Sequence, residues 1–385
     1  MKSVVLGDVV AVRSSLVDPR EDKYSVLPHI APDTIERGTG RLFPYKTIGE
    51  SGVQSGKYRF EAGDVLYSKI RPNLNKVALV NFEGLCSADM YALEVDSMKT
   101  SAAFLQHLLR SPLFVNYATN LSSRANIPKL NRVQLLRFPF DLPPLGEQRR
   151  IAEILDRADA LREMRNEVVA QFENLAEAVF NSAFGTELRN PTTTLGEVAD
   201  IASGITKGRK TAEPTRLTPY LAVANVQAGH LNLGQVKEIE ATDREIERYA
   251  LAAGDIVLTE GGDPDKLGRG TVWREELPLC LHQNHIFRVR MRDDQLRPDY
   301  LSAYLASNPA KSYFLRSAKQ TTGIASINMS QLRGTPIYVP SQSEQERYST
   351  GINEIRSLQR TAVSKAASLD ELFASLQSRA FASQL

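Results

Sequence analysis

Two stretches of the chain concentrate its adaptable polar side chains. Tyr67-Ser68-Lys69-Ile70-Arg71-Pro72-Asn73-Leu74-Asn75-Lys76 interleaves cations, amides and one aromatic directly after a Gly63-Asp64 turn. Its counterpart runs Glu260-Gly261-Gly262-Asp263-Pro264-Asp265-Lys266-Leu267-Gly268-Arg269-Gly270 and is followed by His282-Gln283-Asn284-His285. Lysine and arginine suit phosphate oxygens and the acceptor edge of guanine, while an amide presents a donor beside an acceptor and can clasp adenine. The candidate contacts to nucleic acid are therefore Tyr67, Ser68, Lys69, Arg71, Asn73, Asn75 and Lys76 in the first half and Lys266, Arg269, His282, Gln283 and Asn284 in the second, with Arg124 and Lys319 as further cations. Read singly, each is equally well a solvated surface group; the argument rests on their clustering.

Other chemistries find less support. Cys280, His282 and His285 lie within six positions, but strand alternation puts 280 and 282 on one face and 285 on the other, and no second Cys/His pair completes a tetrahedral set. Cys86 has no histidine nearby with which to form a nucleophile, and cysteine at such places is usually a small core residue. Gly261-Gly262-Asp263-Pro264-Asp265-Lys266 lacks the spacing of a phosphate-binding loop. No catalytic residue and no metal site is expected.

The 385 residues exceed one ordinary core and suggest two domains. A net charge of +2 is weak for a nucleic-acid binder, and its distribution matters more: residues 1–141 hold 18 Lys and Arg against 14 Asp and Glu, but 191–339 hold 18 against 17. Phosphate contacts in the second half must come from a local patch. No apolar run approaches the ~18 residues of a membrane span, no secretory pattern opens the chain, and there are two cysteines, so a soluble cytoplasmic protein without membrane contact is expected.

The elements that would position these loops are written twice. Leu6-Gly7-Asp8-Val9 recurs as Leu195-Gly196-Glu197-Val198, and Ala62-Gly63-Asp64-Val65-Leu66 as Ala253-Gly254-Asp255-Ile256-Val257, at offsets of 189 and 191. Leu85-Cys86 aligns with Leu279-Cys280, and Phe104-Leu105 with Tyr300-Leu301. Each half closes on one junction, Pro143-x-x-x-Glu147-Gln148-x-Arg150 and, 197 residues on, Pro340-x-x-x-Glu344-Gln345-x-Arg347. A proline followed by an acid marks a helix start. Beyond each junction apolar residues alternate in steps of three and four: Ile151, Ile154, Ala158, Leu161, Arg165, Val168, Phe172, Leu175, Val179, and Tyr348, Gly351, Ile355, Leu358, Ala362, Lys365, Leu369, Leu372, Leu376. Such seams predict that the two helices pair, with Arg165 and Lys365 as polar members. The expected fold class is α+β: two similar α/β domains, 1–141 and 191–339, separated by two long antiparallel helices, 142–190 and 340–385, forming a coiled-coil spacer.

Leu142-Pro143-Pro144-Leu145-Gly146-Glu147-Gln148-Arg149-Arg150-Ile151-Ala152-Glu153-Ile154-Leu155 resembles the conserved-region signature of type I restriction-modification specificity subunits. The stretches 64–72 and 258–266 are similar to loops of that family's target-recognition domains, and the resemblance runs along essentially the whole chain. It departs at Ser341 and Gln342, where the first junction has Pro144 and Leu145. The resemblance implies a non-catalytic subunit whose two target-recognition domains read a bipartite, asymmetric site in double-stranded DNA. It further implies two methyltransferase (M) subunits docked on the helices and restriction (R) subunits joining them. S-adenosylmethionine, ATP and Mg²⁺ are expected in those partners, with no cofactor in this chain. The residues implied for spacer and subunit contacts are Glu147, Gln148, Arg150, Leu161, Arg165, Val168, Phe172 and Leu175, and Glu344, Gln345, Arg347, Leu358, Lys365, Leu369, Leu372 and Leu376. A methylation-only or other phage-defence complex and a protein-only scaffold remain as alternatives.

Overall fold

The computed structural model describes residues 2–122, 128–209, 211–263, 266–321 and 324–382. The chain divides into two compact units, Met1–Val168 with Ala362–Leu385, and Val169–Thr361. The helices Leu145–Phe184 and Gln342–Phe381, 40 residues each, pass through both units.

Each unit is organised on a four-stranded antiparallel sheet of one design. In the first the order is Val10–Val12, Met90–Val95, Val65–Ser68, Val77–Leu79; in the second it is Ala199–Ser203, Ile286–Met291, Ile256–Thr259, Gly270–Val272. The register repeats as well, Val65 opposite Leu93 and Ile256 opposite Val289. The strands Val65–Ser68 and Ile256–Thr259 are buried at every position, so alternate side chains enter different cores. Val65 and Tyr67 pack with the helices while Leu66 packs with Cys86 and Phe60; likewise Ile256 and Leu258 face one core and Val257 another.

This register corrects the repeat. Met90 and Ile286 open equivalent strands, and the preceding pairs Leu85-Cys86 and Leu281-His282 both lie parallel to a neighbouring strand, His29–Ile30 and Arg216–Leu221. The buried partner of Cys86 in the second half is therefore His282, two residues after Cys280.

The long helices pair within each unit. In the first, Ile151, Ala152 and Leu155 share a core with Phe373 and Ala380, the Arg162 guanidinium donates to Asp370 at 2.6 Å, and it stacks 4.4 Å from the Phe373 ring centroid. In the second, Phe180 and Phe184 pack edge-on to Tyr348, with centroids 5.5 and 5.6 Å away. Early residues of one helix thus meet late residues of the other, which is antiparallel pairing.

The seam keeps the expected period but half of its phase is wrong. Ile151, Ala158, Arg165, Phe172 and Val179 lie on the covered side, as do Tyr348, Ile355, Ala362, Leu369 and Leu376. The intervening members are Leu155, Arg162, Val169 and Ala176, and Ile352, Gln359, Ala366 and Phe373, each one residue later than expected. Leu161, Val168, Leu175, Leu358 and Leu372 are instead 36–59% exposed, and Lys365 is exposed. A one-residue step turns a side chain by about 100°, which separates a covered position from a solvated one.

Gln148 and Gln345 are not available to partner subunits, because both are fully buried clamps. Gln148 Oε1 accepts from Thr100 Oγ1 (2.8 Å) and Ser101 N (2.9 Å), and its Nε2 donates to the carbonyls of Lys99 (3.0 Å) and Pro143 (2.8 Å). Gln345 accepts from Arg297 N at 2.7 Å and donates to the carbonyls of Gln295 (2.8 Å) and Pro340 (3.0 Å). Each glutamine ties the start of its long helix to the cap of the short helix Ala102–Arg110 or Pro298–Ala306. Glu147 pairs with exposed Arg150 at 2.7 Å, whereas Glu344 accepts from Ser341 N at 2.9 Å and from its hydroxyl at 2.6 Å. The departure from proline to serine at 341 thus replaces one helix-start device with another, a capping box. Both carboxyls are held below the usual range, by Arg150 and by Ser341 respectively.

Candidate nucleic-acid interface

In both units the candidate loop leaves the sheet after a repeated turn. Gly63 and Gly254 adopt φ of +93° and +86°, which glycine takes at no steric cost. The next residue, a buried aspartate, bonds back across the turn: Asp64 accepts from Glu61 N and Asp255 from Ala252 N, both at 2.8 Å. Arg13 neutralises Asp64 at 2.6 Å and Arg290 neutralises Asp255 at 2.6 Å.

Beyond the first strand, Lys69 N donates to Asp89 O (3.0 Å), Leu130 N to Lys69 O (2.9 Å) and Arg71 N to Pro128 O (2.7 Å), with Ile70 bridging Lys129. The loop is thereby stitched to residues 128–130. Arg71 and Asn75 both adopt φ of +49° and flank the short helical turn Pro72–Leu74. Of three described non-glycine residues with positive φ, two bracket this loop, and such strain gathers where a loop is held for a purpose. Asn75 Nδ2 donates to Arg110 O at 2.9 Å, and Lys76 Nζ to Pro32 O at 2.5 Å, so these two side chains hold the loop. Arg71 and Asn73 are exposed. Lys69 is half-buried with Nζ 5.5 Å from the centre of the Tyr91 ring; burial and then the neighbouring Lys129 lower its pKa, so two ammonium groups crowd one spot.

Two expectations for this loop are corrected. Tyr67 and Ser68 are 2% exposed; Tyr67 lies edge-on to Phe114 at 5.5 Å and Ser68 donates to Ile70 O at 3.1 Å, which leaves neither free to meet a base. Arg124 lies outside the described residues.

The second unit reproduces the frame with other side chains. Glu260 N donates to His285 O and Ile327 N to Glu260 O, each at 3.0 Å, while Gly261 and Gly262 pair with Ser326 and Ala325. His285, exposed, shares a 2.8 Å hydrogen bond from Nδ1 to Glu260 Oε2. Lys266 is exposed and pairs with Asp263, Arg269 reaches Gln227 Oε1 at 3.3 Å, and Gln283 and Asn284 are half-exposed where 283 bridges Ile205. Lys319 begins the strand Lys319–Thr321. His282 is corrected: it is fully buried, its Nδ1 bonds Ile286 O at 2.9 Å, Nε2 has no partner among the described residues, and burial drives its pKa down to about 4.

Residues that the sequence reading missed are Lys129, exposed beside Lys69, and the pair Glu260 and His285. A signal for Lys129 existed. Asn131-x-x-Gln134 and Asn328-x-x-Gln331 form the same capping box 197 residues apart, which places Lys129 opposite Ser326. Among the described residues no group of three or more His, Cys, Asp or Glu is placed to hold a metal ion, and no helix is long and apolar enough to cross a membrane.

A tandem of α+β domains, each with a buried acidic turn, a loop rich in hydrogen-bonding groups and a glutamine-clamped long helix, defines the architecture. The chain matches the model of the type I restriction modification DNA specificity domain over residues 1–172. It is 38% identical over 184 residues to the type I restriction enzyme EcoDI specificity subunit of Escherichia coli, covering 47% of this chain and 40% of that protein. Against the EcoKI specificity subunit of E. coli K12 it is 24% identical over 261 residues, 63% of this chain and 56% of the relative. The matched regions thus span about half the length of these curated relatives. The fold is shared with a chain from a structural study of complex assembly and conformational transition in a type I R-M system (TM-score 0.59, 20% identity, 100% and 98% of the two chains). It is shared too with the type I restriction-modification S subunit from M. genitalium (TM-score 0.54, 14% identity, 99% and 96%).

Proposed function

We propose that this chain is the non-catalytic, sequence-specific DNA-recognition subunit of a cytoplasmic type I restriction-modification complex, with one half of a bipartite asymmetric site read by each repeat. The observation that carries this reading is the twofold occurrence of one loop frame on one sheet design, the first copy lying inside the matched specificity domain. Lys69, Arg71, Asn73 and Lys129 in the first unit, and Glu260, Lys266, Arg269, Gln283, Asn284 and His285 in the second, are the proposed DNA-facing residues, and Lys319 remains a further candidate. Two methyltransferase subunits are the proposed occupants of the exposed apolar residues on the long helices, Leu161, Val168 and Leu175 with Leu358 and Leu372, and restriction subunits join that assembly. S-adenosylmethionine, ATP and Mg²⁺ belong to those partners.

The helices act in this proposal as a ruler between half-sites. Adding one heptad, about 10 Å, is expected to lengthen the unread gap by roughly three base pairs. The test is to co-express the full chain with the methyltransferase encoded beside it and map modified adenines in host DNA. A split motif with a fixed gap is the expected result. A stable complex that leaves no new modification would instead establish a protein-only scaffold.

A further inference from the structure

Superposing the two frames by their hydrogen bonds pairs residues that no linear alignment at one offset pairs. Lys69 and Glu260 are equivalent, since each accepts at its carbonyl from the residue before the Asn131 or Asn328 cap and donates to the residue ahead of the Met90 or Ile286 strand. That partner is Asp89 in one half and His285 in the other. By the same bridges Arg71 matches Gly262 and Lys129 matches Ser326.

The backbone is held constant while the chemistry is inverted. In the first unit the spot presents Lys69, Arg71 and Lys129, which are donors only, with Asp89 as the carboxylate acting on Lys69. Burial and then Lys129 lower the pKa of Lys69, against the smaller opposing pull of Asp89, and an acceptor-bearing ligand relieves the like-charge contact. In the second unit the cations are gone and Glu260, an acceptor, stands there with one carboxylate oxygen on His285 and its side chain 34% exposed. A carboxylate repels phosphate, so Glu260 has no role in backbone binding; it accepts from the amino groups of cytosine or adenine, as a cation donates to guanine.

We propose that positions 69 and 260 are the equivalent specificity-determining positions of the two readers: Lys69, with Arg71 and Lys129, reads the acceptor edge of guanine in one half-site, and Glu260 reads an amino-bearing base in the other. This rests on the DNA-reading function proposed above. The test is selection from random-sequence duplexes by the full chain, comparing wild type with Lys69→Glu, Glu260→Lys and the conservative Glu260→Gln, each checked for an unchanged melting temperature. Glu260→Lys is expected to shift base preference roughly 10-fold or more at one or two adjacent positions of a single half-site, with the other half-site unaltered. Lys69→Glu does the same in the opposite half-site, and Glu260→Gln relaxes rather than reverses the preference. A wild-type motif that survives all three substitutions, with only overall affinity reduced, overturns this inference while leaving the readers intact, and assigns Lys69 to phosphate. A wild-type chain that selects no motif overturns the DNA-reading function itself, and this inference with it.

Discussion

The buried turn aspartate is neutralised from different strands in the two units. Arg13, at the end of the strand Val10–Val12, serves Asp64, whereas Arg290, on the strand Ile286–Met291, serves Asp255. Glu94 occupies the place of Arg290 in the first unit, and Ala202 that of Arg13 in the second. Helix docking shows an exchange of sign: Arg110 of the short helix pairs with Asp159 at 2.7 Å in one half, and Asp299 of its counterpart pairs with Arg356 in the other. In the first case the aspartate stays and its arginine moves to another strand, in the second the charges of the two helices trade sign, and a partner is kept each time, because a buried charge without one costs several kcal/mol. At the loop exit Lys69 and Asp89 give way to Glu260 and His285, which are bonded to each other, while Arg71 and Lys129 give way to the uncharged Gly262 and Ser326. Framework charges keep a partner within each unit, whereas the loop cations at 71 and 129 have no charged counterpart at the equivalent positions 262 and 326.

The largest expected effect tests the sameness of the framework. Gln148→Ala and Gln345→Ala each strip a buried clamp of its hydrogen bonds, and each is expected to cost about 4 kcal/mol, because the stranded donors and carbonyls stay dry. Chemical denaturation of both variants measures it, and a loss below about 1 kcal/mol in either half would break the equivalence of the clamps.

Acid separates the halves next. His282 is neutral in the fold with a pKa lowered to about 4 from 6.5, while its equivalent Cys86 bears no acid-titrating group. The folded state then binds fewer protons than the unfolded one, so the contribution of His282 is complete above pH 6.5 and is lost as pH falls towards about 4. The loss amounts to about 3 kcal/mol and is confined to the second unit. Melting followed by hydrogen exchange across that window should find the second unit opening first, and His282→Cys should flatten the pH dependence; an unchanged slope in that variant would remove His282 as the cause.

The smallest effect sharpens the two faces of the long helices. Ala176→Gln forces bulk into the seam and is expected to cost about 2 kcal/mol, while Leu175→Gln, one residue away and 46% exposed, should cost less than about 0.5 kcal/mol. Equal losses would restore the phase expected from the sequence.

Much of this molecule was legible without coordinates. The repeated Ala-Gly-Asp turn, the two helix starts and the helical period all follow from local signals, namely glycine in a turn, proline and acid at a helix start, and apolar residues in steps of three and four. Local signals fixed these because each depends on residues within a few positions of one another. Three features escaped for one reason. The seam's phase, the burial of Tyr67, Ser68 and His282, and the equivalence of Cys86 with His282 all depend on which face of an element meets another element. Leu161 and Leu175 are better hydrophobes than Arg162 and Ala176, yet the latter are covered, because Arg162 finds Asp370 and the Phe373 ring while Ala176 gives room for the aromatic cluster. The sequence by itself determined what each element is and what chemistry its loop carries. Only tertiary contact decided which side chains keep that chemistry in solvent, since burial is a property of neighbours distant in sequence and not of the residue.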